Sequence, residues 1–217
     1  MSSTIGLDWL APLVSGLLML SVGIFVLIRY FRNRMRGILF WGIALTCYGF
    51  SHLAEFAFSA GLINVDSLTY FIRQTLVSLM LIFFYAGCTV FIFRRKSLRA
   101  LSTLLFFAIQ ELMLFYYDYV LVVFTFSSTI HIIFFVIPFS VFFTAFFLVD
   151  FFSSKRVSTL LIAIAWLTFA CVVPFYFLWR ETPLLPLWFT LRTLTLIPLL
   201  FGFVGLARTK TGGKITA

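Results

Sequence analysis

The sequence predicts an all-α, polytopic membrane protein, built as a bundle of seven transmembrane helices. Of its 217 residues, 63% are hydrophobic and only 11% are charged, whereas soluble domains contain about 45–50% apolar and about 25% charged residues. The apolar residues are grouped in seven runs, each long enough to cross about 30 Å of hydrocarbon as a helix. Transmembrane β-strands would instead alternate apolar and polar residues over about 10 positions, and the sequence has no such pattern.

A polar or basic turn separates each run from the next, so the chain is interpreted as one integral membrane domain over residues 1–217. The predicted spans cover residues 9–30, 37–63, 68–93, 98–124, 130–152, 157–179 and 184–206. The turns between them contain, in order, Arg32 to Arg36, Asn64 to Asp66, Arg94 to Lys96, Ser127-Ser128, Lys155-Arg156 and Arg180 to Pro183. A polar tail with Arg208, Lys210 and Lys214 follows the seventh span.

Glycines and prolines inside the spans predict how the helices pack. Gly16 and Gly23 in the first span, like Gly42 and Gly49 in the second, are seven residues apart and favour close helix contact. A proline frees a backbone carbonyl and permits a kink. Such prolines lie in spans five, six and seven, as Pro138, Pro174 and Pro198.

The basic residues predict the orientation of the bundle. Thirteen of the 16 Lys and Arg residues lie in the turns after spans one, three and five and in the C-terminal tail. The positive-inside rule places these turns in the cytoplasm, so we expect the N-terminus outside and the C-terminus inside a cell membrane. The net charge of +9 is then a topology signal. Because they are basic, these turns are expected to contact the anionic headgroups of the lipid bilayer. Loops this short argue against nucleic-acid binding.

Polar residues within the spans are the candidate functional residues, because ionisable groups are costly inside a membrane. Tyr48, His52 and Glu55 are spaced i, i+4, i+7, so they share one face of a helix. Measured from the span ends, most of the other polar groups fall at a similar depth, in the outer half of the bundle. These are Arg73, Gln74, Glu111, Asp118, His131 and Arg192.

The shared depth predicts a polar cavity or an ion-pair network between the helices. A buried charge needs a partner or water, so we expect Glu55 to pair with Arg73. For Arg192 we expect Asp118 or Glu111 as the partner. Two interpretations remain open: a pocket for a small molecule, lipid headgroup or ion, and a purely structural network that fixes the neighbours of each helix.

Two alternative functions use subsets of these residues. His52 and His131 are the only histidines and lie on different spans, so they could ligate one b-type haem in a redox subunit. Glu111, Asp118 and Arg192 could instead serve a small proton-linked transporter. No resident metal is expected otherwise, and every lysine lies in a basic turn or the tail, which excludes retinal attached within the bundle.

The region from Arg29 to about Arg95 resembles the seven-helix N-terminal membrane sensor region of some histidine kinases. The matching features are a basic turn, an aromatic-rich third span, and residues of the second span. The residues that carry the match are Arg32, Arg34, Arg36, Trp41, the Tyr48-Gly49 pair and Glu55. In contrast to such proteins, we expect no kinase, cyclase or phosphodiesterase domain after Lys214. The resemblance implies a stand-alone, sensor-like bundle in which Glu55 serves a pocket or helix packing.

The combined expectation is a non-enzymatic, multi-pass membrane protein that binds a ligand or lipid and acts through a protein partner. This expectation includes no cofactor. The polar layer is the predicted site, and the Tyr48–Glu55 stretch is one wall of it.

Overall fold

A computed structural model describes residues 10–93, 95–123, 129–179 and 184–208. Within these residues the chain is helical apart from short turns and contains no β-strand. The α-helices are α1 (Leu10–Asn33), α2 (Arg36–Ser59), α3 (Ser67–Ile92), α4 (Lys96–Leu114), α5 (Ile137–Ser154), α6 (Val157–Val172), α7 (Phe175–Trp179) and α8 (Leu185–Arg208). A π-helical turn, Phe115–Val120, continues α4, and another, Ile132–Val136, precedes α5.

Six helices among the described residues are long and apolar enough to cross a membrane, which confirms the prediction of a helical membrane bundle. They are Leu10–Arg32, Arg36–Ser59, Ser67–Ile92, Lys96–Val120, Thr129–Ser154 and Leu187–Arg208. Val157–Val172 is a shorter apolar helix. Some predicted features lie outside the described residues. These are the span limits at residues 9 and 124, the turns at 127–128 and 180–183, and the tail from residue 209.

The predicted sixth span, residues 157–179, is interrupted at the proline where a kink was expected. Helix α6 ends at Val172 and α7 begins at Phe175, with Pro174 in the turn between them. Proline has no N–H to donate to the preceding turn, and its ring clashes with the carbonyl four residues earlier. Pro198, by contrast, lies inside the continuous helix α8, because neighbouring groups in a membrane bundle can accommodate the freed carbonyl.

Helices α1 and α2 approach each other at their backbones. A methyl group on Gly49 would lie 2.9 Å from the backbone nitrogen of Leu20 and 3.0 Å from the carbonyl oxygen of Gly16. One on Gly23 would lie 2.6 Å from the Thr46 hydroxyl oxygen. Glycine is therefore required at these crossings by space rather than by conformation. The close helix packing predicted from these glycines is confirmed, and the structure shows that the two helices pack against each other.

An aromatic core joins five helices and fixes how each is rotated. Each of these helices contributes one buried aromatic side chain: Trp41 of α2, Phe84 of α3, Phe143 of α5, Trp166 of α6 and Phe203 of α8. Their rings meet with centroids 4.7 Å apart for Phe143 and Trp166 and 5.1 Å for Phe84 and Trp166. Aromatic pairs at these separations favour tilted and edge-on arrangements. The core thus sets which face of each helix points inward.

The face of α2 that enters this core also carries the polar residues. Trp41, Tyr48 and Glu55 follow at seven-residue intervals, which is two helical turns each. The fold therefore places the polar residues directly above the aromatic core, towards the end of α2 at Ser59.

Candidate functional site

The carboxylate of Glu55 is held by two arginines from two other helices. Arg192 of α8 binds it at two points, with Nη2 2.7 Å from Oε2 and Nη1 3.2 Å from Oε1. Arg73 of α3 approaches from another side, with Nη2 3.4 Å from Oε1. Two-point guanidinium–carboxylate pairs are the stronger and more directional kind. Glu55 thus ties α2 firmly to α8 and more loosely to α3.

His52, one turn before Glu55 on α2, completes the polar wall. Its Nδ1 lies 3.2 Å from Glu55 Oε2 and 3.3 Å from Arg192 Nη2. The imidazole and the Tyr48 ring are 4.4 Å apart between centroids. The other ring nitrogen, His52 Nε2, is buried and has no hydrogen-bond partner. The i, i+4, i+7 spacing therefore places all three α2 side chains on one surface.

Aromatic rings position Arg192 from its own helix. Its guanidinium carbon lies 4.6 Å from the centroid of the Trp188 ring and 5.2 Å from that of Phe189. Trp188 and Phe189 precede Arg192 by four and three residues, so they lie on the same face of α8. Cation–π contacts of this kind are favourable when the cation is shielded from water, and Arg192 is buried.

Arg73 belongs to a short hydrogen-bonded chain along α3. Its Nη1 donates to Gln74 Oε1 at 3.3 Å, and Gln74 Nε2 donates to the Tyr70 hydroxyl at 3.2 Å. Arg73 is partly exposed, whereas Arg192 is buried. The two arginines therefore differ in their freedom to move, although both contact Glu55.

These groups line one cavity with a volume of about 300 Å³. Polar side chains line the part nearest the end of α2 and the start of α3, and apolar side chains line the part nearest the core. The polar part contains Tyr48, Ser51, His52, Glu55, Ser59, Tyr70, Arg73, Gln74, His131, Tyr176 and Arg192. The apolar part includes Val77, Met80, Ile132, Val136, Phe169 and Val173. A cavity of this size is at the lower end of the range of small-molecule sites.

The described lining of the cavity carries an excess of positive charge. It contains two guanidinium groups, on Arg73 and Arg192, and one carboxylate, on Glu55. The Nε atoms of both arginines are buried without a hydrogen-bond partner. A buried charge is costly unless another group neutralises it. The cavity therefore favours an anion.

His131 also lines this cavity. It immediately precedes the π-helical turn Ile132–Val136, and its Nε2 is in hydrogen-bond contact with Gln110 Nε2 of α4. Among the described residues, no group of three or more His, Cys, Asp or Glu side chains could hold a metal ion. The haem alternative through His52 and His131 stays a prediction.

Glu111 and Asp118 lie outside the described cavity lining. Glu111 Oε2 accepts a hydrogen bond from the Thr75 hydroxyl at 3.1 Å, and Asp118 is fully buried in the π-helical turn of Phe115–Val120. The expected pairing of Arg192 with one of these acids was wrong, because Arg192 binds Glu55. Depth along a span does not determine which side of a helix faces a given neighbour.

Trp188, Phe189 and Tyr70 contribute to the site and were not predicted. The signal was available in their spacing: Trp188 and Phe189 lie within one turn of Arg192, and Tyr70 lies one turn before Gln74. Aromatic residues are so frequent in this chain, at 20%, that this spacing alone did not distinguish them.

The fold and the site define a helical membrane protein with a polar, positively charged cavity at one end of its bundle. Comparison of the chain with protein-family models, with curated proteins and with solved structures finds no match.

Proposed function

We propose that this protein is a sensor-like, ligand-binding membrane bundle that has no enzymatic activity of its own and acts through a protein partner. The observation that carries the proposal is the contact of one carboxylate with two arginines in a cavity wide enough for a small molecule. In the proposed orientation, seven spans place the N-terminus outside and the C-terminus in the cytoplasm of the cell membrane. The cavity then opens towards the outside.

The charge of the cavity favours an anionic ligand. Two guanidinium groups and one carboxylate leave a formal charge of +1 in the described lining. A singly charged anion, such as a carboxylate or a sulfate monoester, would neutralise it and accept hydrogen bonds from Arg73. A cationic ligand would add to the excess charge and is disfavoured.

The apolar part of the cavity favours a ligand with a hydrocarbon portion. Met80 and Val136 are buried, and Val77 lies one turn further into the bundle than Arg73. A ligand whose anionic group contacts Arg73 would therefore extend its other end along these side chains. We infer a small amphiphilic monoanion, such as a medium-chain carboxylic acid.

Binding would change the contacts between helices unequally. The Arg73–Glu55 contact is a single one at 3.4 Å, whereas Arg192 holds Glu55 at two points. An incoming anion would displace Glu55 from Arg73 more readily than from Arg192. The contact between α2 and α3 would loosen while that between α2 and α8 remained, and such a difference between two states is what a sensor transmits.

Octanoate is a suitable first probe for the proposal. We expect it to raise the unfolding temperature of the purified protein in detergent, while octanol and octylammonium, which differ only in the head group, do not. At 100 times its Kd, a ligand stabilises the folded state by about 2.7 kcal/mol. Arg73→Gln should abolish the shift. Glu111→Gln, outside the described cavity lining, should leave it intact.

Two results would count against binding of octanoate in this cavity. An equal shift with octanol would show that the hydrocarbon chain acts through the detergent or a nonspecific surface. An unchanged octanoate shift in Val77→Trp, which would fill the apolar part of the cavity, would place binding elsewhere.

The haem alternative is favoured by one observation, which is that His52 and His131 line the same cavity. Both imidazoles, however, already contact other side chains, Glu55 with Arg192 in one case and Gln110 in the other. A haem-bound sample would show a Soret band after expression with haem supply. Its absence would remove this alternative.

A further inference from the structure

A second cavity lies between α2, α3 and α4, at the other end of the bundle. It has a volume of about 540 Å³. Arg36 begins α2 and borders this second cavity, whereas Glu55 lies nineteen residues further along the same helix, which corresponds to about 28 Å. The two cavities are therefore separate sites. We call the second one the α2–α4 groove.

Three basic side chains border the groove, namely Arg36, Lys96 and Arg99. None of its described lining residues is acidic, so the groove has no carboxylate of its own to balance them. The Nε of Arg99 is buried and has no hydrogen-bond partner. A positively charged pocket between membrane helices is a common feature of sites for anionic lipid headgroups.

Two helices begin at this charged end without a side-chain cap. Residues Met35 and Arg95 precede α2 and α4, and neither makes a side-chain hydrogen bond to the first turn. The free backbone N–H groups of a helix start, together with the positive end of the helix dipole, favour an anion. The first residues of these two helices, Arg36 and Lys96, both line the groove.

The rest of the groove is apolar and follows α4. Its walls include Phe40, Leu79, Phe83, Leu104 and Phe107. From Arg99 to Phe107, α4 advances by eight residues, or about 12 Å. The groove is thus a charged end followed by a hydrocarbon-lined channel.

Helix α4 leaves much of its apolar surface without a protein neighbour. Five of its apolar side chains are at least half exposed in the described part of the chain, namely Leu101, Leu104, Leu105, Ile109 and Leu112. Lipid chains therefore have direct access to the groove along α4. The occupant that fits is an amphiphile that arrives from the bilayer.

We propose that the α2–α4 groove binds one anionic phospholipid. Its phosphate lies among Arg36, Lys96 and Arg99, and one acyl chain lies along Leu104 and Phe107. The charge of the groove selects the lipid class, because phosphatidylcholine would bring a trimethylammonium group close to the three basic side chains. Phosphatidylglycerol has no such group.

Native mass spectrometry of the protein, released from nanodiscs that contain equal amounts of phosphatidylcholine and phosphatidylglycerol, tests the proposal. We expect the wild-type chain to retain one phosphatidylglycerol in preference to phosphatidylcholine. The triple variant Arg36→Gln, Lys96→Gln, Arg99→Gln should lose this preference by about tenfold or more, because each basic residue near a lipid surface contributes about 1 kcal/mol.

A matched variant controls for overall charge. Arg29→Gln, Arg32→Gln, Arg208→Gln removes three basic residues that line neither described cavity and should keep the preference. Equal loss in both triple variants would show nonspecific attraction and overturn the proposal. The single variant Arg99→Gln, which changes the protein least, should show a partial loss.

A further variant tests the apolar channel without changing charge. Ala100 lines the groove and is exposed, so Ala100→Trp fills the space with little effect on the bundle itself. We expect it to lower phosphatidylglycerol retention several-fold. Wild-type retention in this variant, or equal retention of the two lipids by the wild-type chain, would overturn the proposal.

Discussion

Arg192 and Glu55 are 137 residues apart in the chain and form a two-point ion pair inside the bundle. The pair joins the seventh predicted span to the second, and Arg73 joins the third span to the same carboxylate. One acidic side chain therefore links three helices. Removing this carboxylate would leave both arginines without their shared counter-charge.

Glu55→Gln should destabilise the protein by about 3 kcal/mol, in the range measured when one partner of a buried pair is removed. The substitution leaves two guanidinium groups facing each other without a counter-charge. The measurement is the free energy of unfolding of the purified protein in detergent, by chemical denaturation.

Glu111→Gln is the matched control for this change. Glu111 accepts a hydrogen bond from the Thr75 hydroxyl, and the amide oxygen of Gln can accept the same bond. We expect its stability to be unchanged or raised, because a neutral amide costs less than a carboxylate in an apolar environment. Equal destabilisation by both variants would contradict a special role for Glu55.

The two arginines should respond differently to replacement by lysine. Arg192→Lys keeps the charge but loses the two-point bond and the stacking on Trp188, so we expect a loss of about 2 kcal/mol. Arg73→Lys weakens two long contacts, one with Glu55 at 3.4 Å and one with Gln74 at 3.3 Å, and should cost less than about 1 kcal/mol. Thermal unfolding of the two variants side by side measures the difference, and equal losses would contradict the geometry.

Much of the site could be predicted from the depth of its residues within the membrane spans. His52, Glu55, Arg73 and Arg192 were placed at one level by counting residues from the span ends, and the structure brings all four together. Depth is only one coordinate, however. The rotation of each helix and the order of its neighbours depend on packing, which is why Arg192 was expected to pair with an acid of the fourth span.

The break in the sixth predicted span has a similar cause. Hydropathy runs on without interruption from residue 157 to 179, so the run reads as one helix. Pro174 could be read as a kink or as a break, and Pro198 in α8 shows that the same residue type is tolerated inside a helix. Only the tertiary surroundings decide between these outcomes.

Gly49→Ala should weaken the contact between α1 and α2. The added methyl group would lie 2.9 Å from the Leu20 backbone nitrogen, and backbone atoms cannot move aside as a flexible side chain can. We expect a loss of about 2 kcal/mol, typical of overpacking. Ser21→Ala on the exposed face of α1 is the control and should change stability by less than about 0.5 kcal/mol. Chemical denaturation compares the two, and a neutral Gly49→Ala would refute the close crossing.

The start of α3 should make a pH-dependent contribution through Asp66. This residue lies in the turn before α3, where its carboxylate accepts hydrogen bonds from the backbone N–H and the hydroxyl of Thr69. These bonds favour the charged form and hold the pKa of Asp66 below its ordinary value. A group whose pKa is lowered by folding stabilises the folded state above its unfolded pKa, and this contribution is lost as the pH falls through the folded pKa.

Asp66→Asn and Asp66→Ala separate the charge from the cap. Asparagine also caps helices well, so Asp66→Asn should keep most of the stability at pH 7 and lose the pH dependence of this position. Asp66→Ala should lose the cap and be less stable than Asp66→Asn at neutral pH.

The measurement is the unfolding temperature of the three proteins at pH 7 and pH 3. Because acid protonates Asp66 and removes its charge, the gap between wild type and Asp66→Asn should narrow or reverse at pH 3. An equal gap at both pH values would show that the carboxylate charge does not contribute to the start of α3.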